Sequence, residues 1–274
     1  MRIATMWRYP VKSMLGERVD EARLDAAGFA HDRGLALIDS TTGIVATAKH
    51  PRLWRSLLTY SAAVRDGQVL VTSPAGWTRE ATAADVDELL SEALARPVRV
   101  ASDRPDGASV ERPDPEDVLD HGVEAVVPAA TLEIGQGTPG ASFVDYAPVH
   151  LITSATLEAV GAEQVRYRPN LVVETPPGTP AFVENDWIGR TLQVGDPDGA
   201  DGPTVLRIAL PTPRCSVPTL EHGELPRAPH AVRTVMANNR VEVPGFGVRP
   251  CAGCYAEVVR AGTVRVGDRV TLGG

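Results

Sequence analysis

Apolar positions along this chain come mostly in short runs. Runs at 35–39, 68–72, 98–101, 150–153, 170–173, 204–209, 255–259 and 264–272 are apolar and rich in β-branched residues, and Gly, Pro and Asp separate them. That pattern predicts strands. Helical spacing shows in two places. Val86, Leu89, Leu90, Ala93 and Leu94 share a face over 83–96, and Ala231, Val232, Val235 and Met236 do so over 229–240. A third, shorter helix is predicted over 154–160 with Ser154 as its N-cap. Strands dominate, and helices do not alternate with them. The predicted fold is therefore mainly β, barrels or sandwiches with a few short helices, rather than a doubly wound sheet.

Segment 102–120, SDRPDGASVERPDPEDVLD, carries three prolines, more acids than bases and little apolar content. It reads as an exposed linker or long loop. The domain boundary is placed there, giving expected domains 1–118 and 119–274.

A chain of 274 residues buries enough core to stand without disulfides. It holds only three cysteines and no apolar run of membrane-spanning length. Its N-terminus lacks the basic head and apolar stretch of a signal peptide. The expectation is a cytoplasmic protein with no membrane partner. A net charge of −8 argues against nucleic acid as a partner, although a local basic pocket remains compatible with it. Of the 27 basic residues, only Lys12 and Lys49 are lysine, which singles them out for attention.

Two motifs invite over-reading. GQGTPG at 135–140 matches the G-x-G-x-x-G string, but Pro139 pushes its neighbour out of helical geometry and no helical period follows. It reads as a loop. Cys251 and Cys254 form C-x-x-C, yet they run straight into a predicted strand without two further zinc ligands at suitable spacing. Small buried residues at a strand entrance are the better reading. The six histidines form no metal-binding cluster, and no nucleophile elbow or Walker loop appears.

Four polar clusters remain: YPVKS at 9–13, HDR at 31–33, LITSATL with RYRPN over 151–170, and PTPRC at 211–215. Together they offer Lys12, Arg33, Arg168 and Arg214 around hydroxyls and one thiol, Cys215. Such a set suits a phosphorylated, hydrogen-bond-rich ligand beside a sulfur. Sequence alone does not bring them together.

As a set, these motifs resemble a known family. WRYPVKSMLG, DRGLALID and TAKHPRL are similar to the N-terminal β-barrel domain that precedes MOSC domains. FVDYAPVHLITSATL, RYRPNLVVE, FVENDWIGRTLQVG, PTPRC and GTVRVGD resemble the MOSC domain itself, which ends molybdenum-cofactor sulfurases and forms the body of the amidoxime-reducing component. The resemblance implies a molybdenum cofactor (molybdenum-molybdopterin) with Cys215 as the protein's metal ligand and catalytic sulfur. It further implies that Lys12, Ser13, Arg33, Arg168 and Arg214 hold the pterin and its phosphate, with Thr153, Ser154 and Asn170 adding neutral hydrogen bonds. A soft thiolate suits a thiophilic metal. Met14 stands where relatives often carry cysteine, and the segment after Cys215 lacks their aspartate.

The expected activity is reduction of N–O bonds in small N-hydroxylated compounds. Three cysteines cannot supply the four-cysteine set of a plant-type iron–sulfur cluster, so a separate electron-donor protein is expected. The alternatives are a non-redox module that binds the cofactor or carries sulfur as a persulfide on Cys215, and a thiol enzyme without metal.

Overall fold

Strand β1 (Arg2–Arg8) turns both Ile3 and Met6 into the core, although strict alternation would put residues three apart on opposite faces. A register shift between Ile3 and Thr5 supplies the extra residue that reconciles them. Around β1 builds a nine-stranded sheet. Its other members are β2 (Glu17–Val19), β3 (Val149–Thr153), β4 (Leu171–Glu174), β5 (Thr191–Val194), β6 (Thr204–Pro213), β7 (Arg240–Val243), β8 (Gly247–Arg260) and β9 (Val270–Leu272). The order is β9-β5-β6-β8-β3-β4-β1-β2, with β7 paired to β8. Backbone bonds from Ile3 to Asp268 and from Val270 to Met1 bring β9 round to β1, curling the sheet toward a barrel. Leu151, Val173, Leu206 and Ile208 fill its interior with Ile3 and Met6. This computed structural model describes every residue except Asp198, Ala200, Asp201 and Gly274.

The pair β3–β4 is parallel and needs a crossover. Helix Ser154–Val160 and the short helix Gln164–Tyr167 make it. The N-cap of the first is Thr153, whose hydroxyl accepts from the Thr156 amide, and not Ser154 as predicted. The crossover ends at Arg168, whose φ of 53° stops the helix in the left-handed region before Pro169.

A second cluster lies under the first hundred residues. Strands Ala36–Asp39 and Val98–Ala101 pair, and Ser61–Arg65, Gln68–Thr72 and Thr78–Glu80 form a meander. Helix Val86–Leu94 buries Leu90 against Trp54 and Leu57. Asp87 and Glu88 suit its positive N-terminal end, and Ala95 closes it in the left-handed region. The two halves share sheets: β1 pairs with β4, and strand Glu21–Asp25 pairs with Gly262–Arg265.

Segment 102–120 is not the free linker expected. Ser109–Pro113 pairs with Ala129–Glu133, and Pro115–His121 is a helix. Asp114 caps that helix by accepting from the Glu116 amide, Pro115 occupies its first position, and Val110 and Val118 are buried. The predicted strand 264–272 is two strands, broken at Gly267 with φ 91°.

Candidate functional site

Segments carrying Lys12, Arg33, Lys49, Asp145, Arg168 and Cys215, with side chains from strands β3, β6 and β8, surround one cavity. Of the residues singled out from sequence, Lys12, Ser13, Arg33, Arg168, Asn170, Arg214 and Cys215 line it. Thr153 and Ser154 do not. Alternation along β3 turns His150 to the cavity and Thr153 to the opposite face. There the Thr153 hydroxyl donates to Glu184 Oε2 at 2.8 Å. The Ser154 hydroxyl lies 3.1 Å from that of Thr175 and accepts from the Thr175 amide. Neither belongs to this site.

Backbone conformation aims the site. Seven non-glycine residues have positive φ among the described residues, and three of them, Ser13, Arg33 and Arg168, line this cavity. Each costs on the order of 1–2 kcal/mol, a strain that concentrates where geometry matters. Arg33 donates to Asp32 Oδ2 at 2.5 Å, to Asn170 Oδ1 at 3.1 Å and to the Arg168 carbonyl at 2.9 Å. Its guanidinium lies 4.7 Å from the ring centre of buried Tyr9, and that of Arg168 lies 4.3 Å from the same ring. The ring face offers both cations partial negative charge.

The cavity gathers six cationic side chains: Lys12, Lys49, Arg33, Arg166, Arg168 and Arg214. Three carboxylates answer them. Asp32 pairs with Arg33 and Glu163 with Arg166. Asp145 takes both lysines of the chain on one oxygen, Lys12 at 2.7 Å and Lys49 at 2.8 Å. Burial alone would raise the Asp145 carboxyl, but the two ammonium groups outweigh it and hold it well below the usual range. Lys12, which also donates to the Phe143 carbonyl, is pushed down to about 8 by burial, with Lys49 and Arg33 adding to the effect against Asp145.

Most of these donors already have partners in the chain. Arg214 donates to the carbonyls of Ala252 and Tyr167 and to His150 Nε2. Arg166 donates to the carbonyls of Leu220 and Pro226. Arg168 differs. Its Nη1 donates to the Met14 carbonyl at 2.7 Å, while its Nη2 is buried without a partner. Burial and then Arg33 push its pKa down to about 10, so it stays charged at neutral pH. A buried, charged and unsatisfied donor is costly and calls for an anionic acceptor.

Cys215 lies two residues beyond the end of β6, half-buried and unpaired. It is not joined to Cys251 or Cys254. Those two are buried in different clusters, Cys254 inside the barrel and Cys251 against Leu210 and Val243. The residues between them explain the motif. Ala252 offers its carbonyl to Arg214, and Gly253, with φ 76°, lets the backbone pass His150: a Cβ there would meet His150 Nε2 at 2.7 Å. No group of three or more potential metal-binding His, Cys, Asp or Glu residues occurs among the described residues.

Residues 1–111 match the MOSC N-terminal β-barrel domain and residues 139–271 match the MOSC domain. The chain belongs to the MOSC-domain proteins. MOSC domains are found in molybdenum-cofactor-binding proteins. Among solved structures, this MOSC chain is similar to the YUAD protein from Bacillus subtilis, at 10% identity over 99% of this chain and 94% of that one, with a TM-score of 0.43. It is also similar to YiiM from Geobacillus stearothermophilus, at 15% identity over 46% of this chain and 53% of that one, with a TM-score of 0.30. No curated protein matches it. No helix among the described residues is long and apolar enough to cross a membrane.

Sequence reasoning overlooked Asp145, His150 and Thr212, which also line the cavity. Asp145 sits alone in FVDYAP, and His150 is one polar residue in an apolar strand. Neither forms a local pattern. Only the rarity of lysine in the chain singles out Lys49.

Proposed function

We propose that this protein is a molybdenum-pterin oxidoreductase that reduces N–O bonds of small N-hydroxylated compounds, with electrons from a separate donor protein. The observation that carries the reading is the unsatisfied Arg168 Nη2 in a six-cation cavity that also presents a free thiol, in a chain of net charge −8. That donor set fits an anionic pterin phosphate held by the arginines and a soft metal held by the thiol.

Arg168 would donate to the phosphate, and Lys12, Arg33 and Arg214 would add charge while their hydrogen bonds hold the walls. Ser13 and Asn170 are tied into those walls, Ser13 by accepting from the Ala48 amide and Asn170 by accepting from Arg33. Cys215 would ligate the metal as thiolate, with Arg214 adjacent in sequence. When bound, the cofactor supplies oxygen-atom acceptance and two-electron chemistry. Asp145, held ionised between two lysines, accepts their hydrogen bonds and has no proton to donate at neutral pH.

The test is expression in a host that synthesises the cofactor, followed by molybdenum analysis and an assay for hydroxylamine or amidoxime reduction by a chemical electron donor. The expected result is molybdenum at close to one per chain, and turnover. Molybdenum without turnover would leave a cofactor-binding module. Absence of both would refute the reading.

A further inference from the structure

Strand β8 carries a bulge behind the cavity. Pro211 of β6 pairs with Cys254 and Pro213 with Cys251, so Ala252 and Gly253 stand against Thr212 alone. A bulge breaks the ladder, and its backbone groups turn to other partners. Cys251 exchanges bonds with Asn239, its amide donating at 3.0 Å and its carbonyl accepting from Nδ2 at 2.7 Å. The Gly253 amide donates to Glu184 Oε1 at 3.0 Å. The Ala252 carbonyl accepts from Arg214, from Nε at 2.8 Å and from Nη2 as well. Glu184 and Arg214 therefore hold the two ends of one peptide unit. In a trans peptide the N–H and C=O point opposite ways, so the carboxylate stands behind the bulge and the guanidinium in front of it. The peptide dipole runs between them with its N–H end toward the anion, and each charge strengthens the other's hydrogen bond. Glu184 is 0% exposed and does not line the cavity. Its Oε2 accepts from the hydroxyls of Thr153 and Thr156, each at 2.8 Å, so both oxygens face donors, the pattern of an ionised carboxylate. Its charge adds to burial in pushing the Cys254 thiol up. Phe182, at φ 60° and bonded through its amide to the Thr156 hydroxyl, aims Glu184 at the bulge.

We propose that Glu184 is a positioning residue: through the Ala252–Gly253 peptide it fixes and charge-balances Arg214, the cation next to Cys215. The other bonds of Arg214 go to neutral acceptors, the Tyr167 carbonyl and His150 Nε2. A buried guanidinium with only neutral partners is costly to hold, and the anion behind the peptide offsets that cost. Asp145 answers its two lysines from the cavity wall itself, whereas Glu184 steadies Arg214 from outside it. The cation thus keeps its charge toward the cavity. Thr153 and Thr156 act through Glu184 by satisfying its second oxygen. The coupling stands on geometry alone, and its bearing on catalysis rests on the proposed function.

The experiment reads hydrogen exchange by NMR on the purified full chain without cofactor, at the Arg214 Nε–H and at the Gly253 amide. Glu184→Gln keeps the shape and an acceptor oxygen but loses the charge, and the two threonine hydroxyls can turn to suit it. Exchange at the Arg214 Nε–H, on the other side of the peptide, should then quicken about tenfold, the difference between a charge-assisted and a neutral bond. A change at Gly253 with Arg214 unmoved would make Glu184 a turn anchor only and overturn the proposal. Coupling is reciprocal, so Arg214→Gln should loosen the Gly253 amide by a similar factor. This second arm stands even if Glu184→Gln does not fold, and an unchanged Gly253 amide would overturn the proposal there. Loaded with cofactor, Glu184→Gln should lose about tenfold in kcat with KM within about twofold of wild type, because no substrate contact is touched. An unchanged kcat would remove Glu184 from the reaction. Absence of turnover in the wild type would count against the proposed function and leave both exchange arms standing.

Discussion

Arg214 holds its Nη2 2.6 Å from Nε2 of His150. A guanidinium has only donors, so Nε2 is the acceptor and the ring proton sits on Nδ1. From there it points at the Arg168 carbonyl, 3.3 Å away. His150 therefore links the residue next to Cys215 with the residue that carries the unsatisfied donor. Burial, and then the charge of Arg214, hold its pKa well below the ordinary value.

This tautomer makes a prediction. The nitrogen resonances of His150 should show an Nδ1–H neutral ring that stays neutral on acidification well past the ordinary histidine range. The stability consequence has a definite sign. Below about pH 6.5 the unfolded chain binds a proton that folded His150 refuses, so stability falls with acidification. Denaturant unfolding of His150→Phe should show a weaker acid dependence. At neutral pH the variant should cost about 1–3 kcal/mol, for the two hydrogen bonds that the ring makes to Arg214 and to the Arg168 carbonyl.

The basic residues should not contribute equally to ligand retention. Arg168→Ala removes the free charged donor, worth roughly 1.5–3 kcal/mol, or a loss of about tenfold to a hundredfold in pterin affinity. Lys12→Ala removes a charge already shared with Asp145, so its loss should be smaller. Both variants should remain folded by circular dichroism. Pterin released on acid treatment and counted per chain is the measurement, and equal retention in Arg168→Ala and wild type would remove that arginine from the site.

Lys12 gives the cavity a pH dependence. Its folded pKa of about 8 lies below that of the free side chain, so the folded protein releases this proton first as pH rises. The sign for stability is an increase between about 8 and 10.4, where the unfolded chain still holds the proton. The sign for anion binding is opposite, because the cavity loses a positive charge. Sulfate keeps a constant charge over this range and makes a clean probe. Calorimetric titration of cofactor-free protein should show sulfate affinity falling from pH 7 to pH 9.5, and Lys12→Met should flatten that profile.

Local structure was legible where local chemistry decides it. Gln68–Thr72 and Val98–Ala101 have the predicted bounds because β-branched runs end there at turn residues. β6 runs past Pro211 to end at Pro213, because its pairing with β8 shifts register between the two prolines and spares the missing donors. Asp114-Pro115-Glu116 was a readable helix start inside a segment whose composition suggested a loop. The site was legible only as candidates. Lys12 and Asp145 are 133 residues apart and meet at 2.7 Å through sheet closure, which leaves no mark on neighbouring positions. Thr153 and Ser154 were assigned by motif, yet strand alternation and the needs of a helix cap place them elsewhere.

Cys215 separates the redox reading from its rivals. The structure leaves it free and half-buried at the wall between two cavities, away from Cys251 and Cys254. If its thiolate ligates molybdenum, Cys215→Ser keeps the fold and the pterin contacts made by Arg168 and its neighbours. A serine oxygen is a harder donor, so the metal's electronic spectrum should shift and N–O reduction should fall by orders of magnitude. Activity alone does not decide, because a persulfide carrier also fails without this thiol. X-ray absorption at the molybdenum edge does decide. The cofactor reading requires one fewer sulfur neighbour in Cys215→Ser than in wild type, with pterin content retained. An unchanged sulfur count would remove Cys215 from the metal and give the lead to the sulfur-carrier reading. That carrier would in turn show a sulfur atom on Cys215 by intact-protein mass spectrometry, labile to reductant.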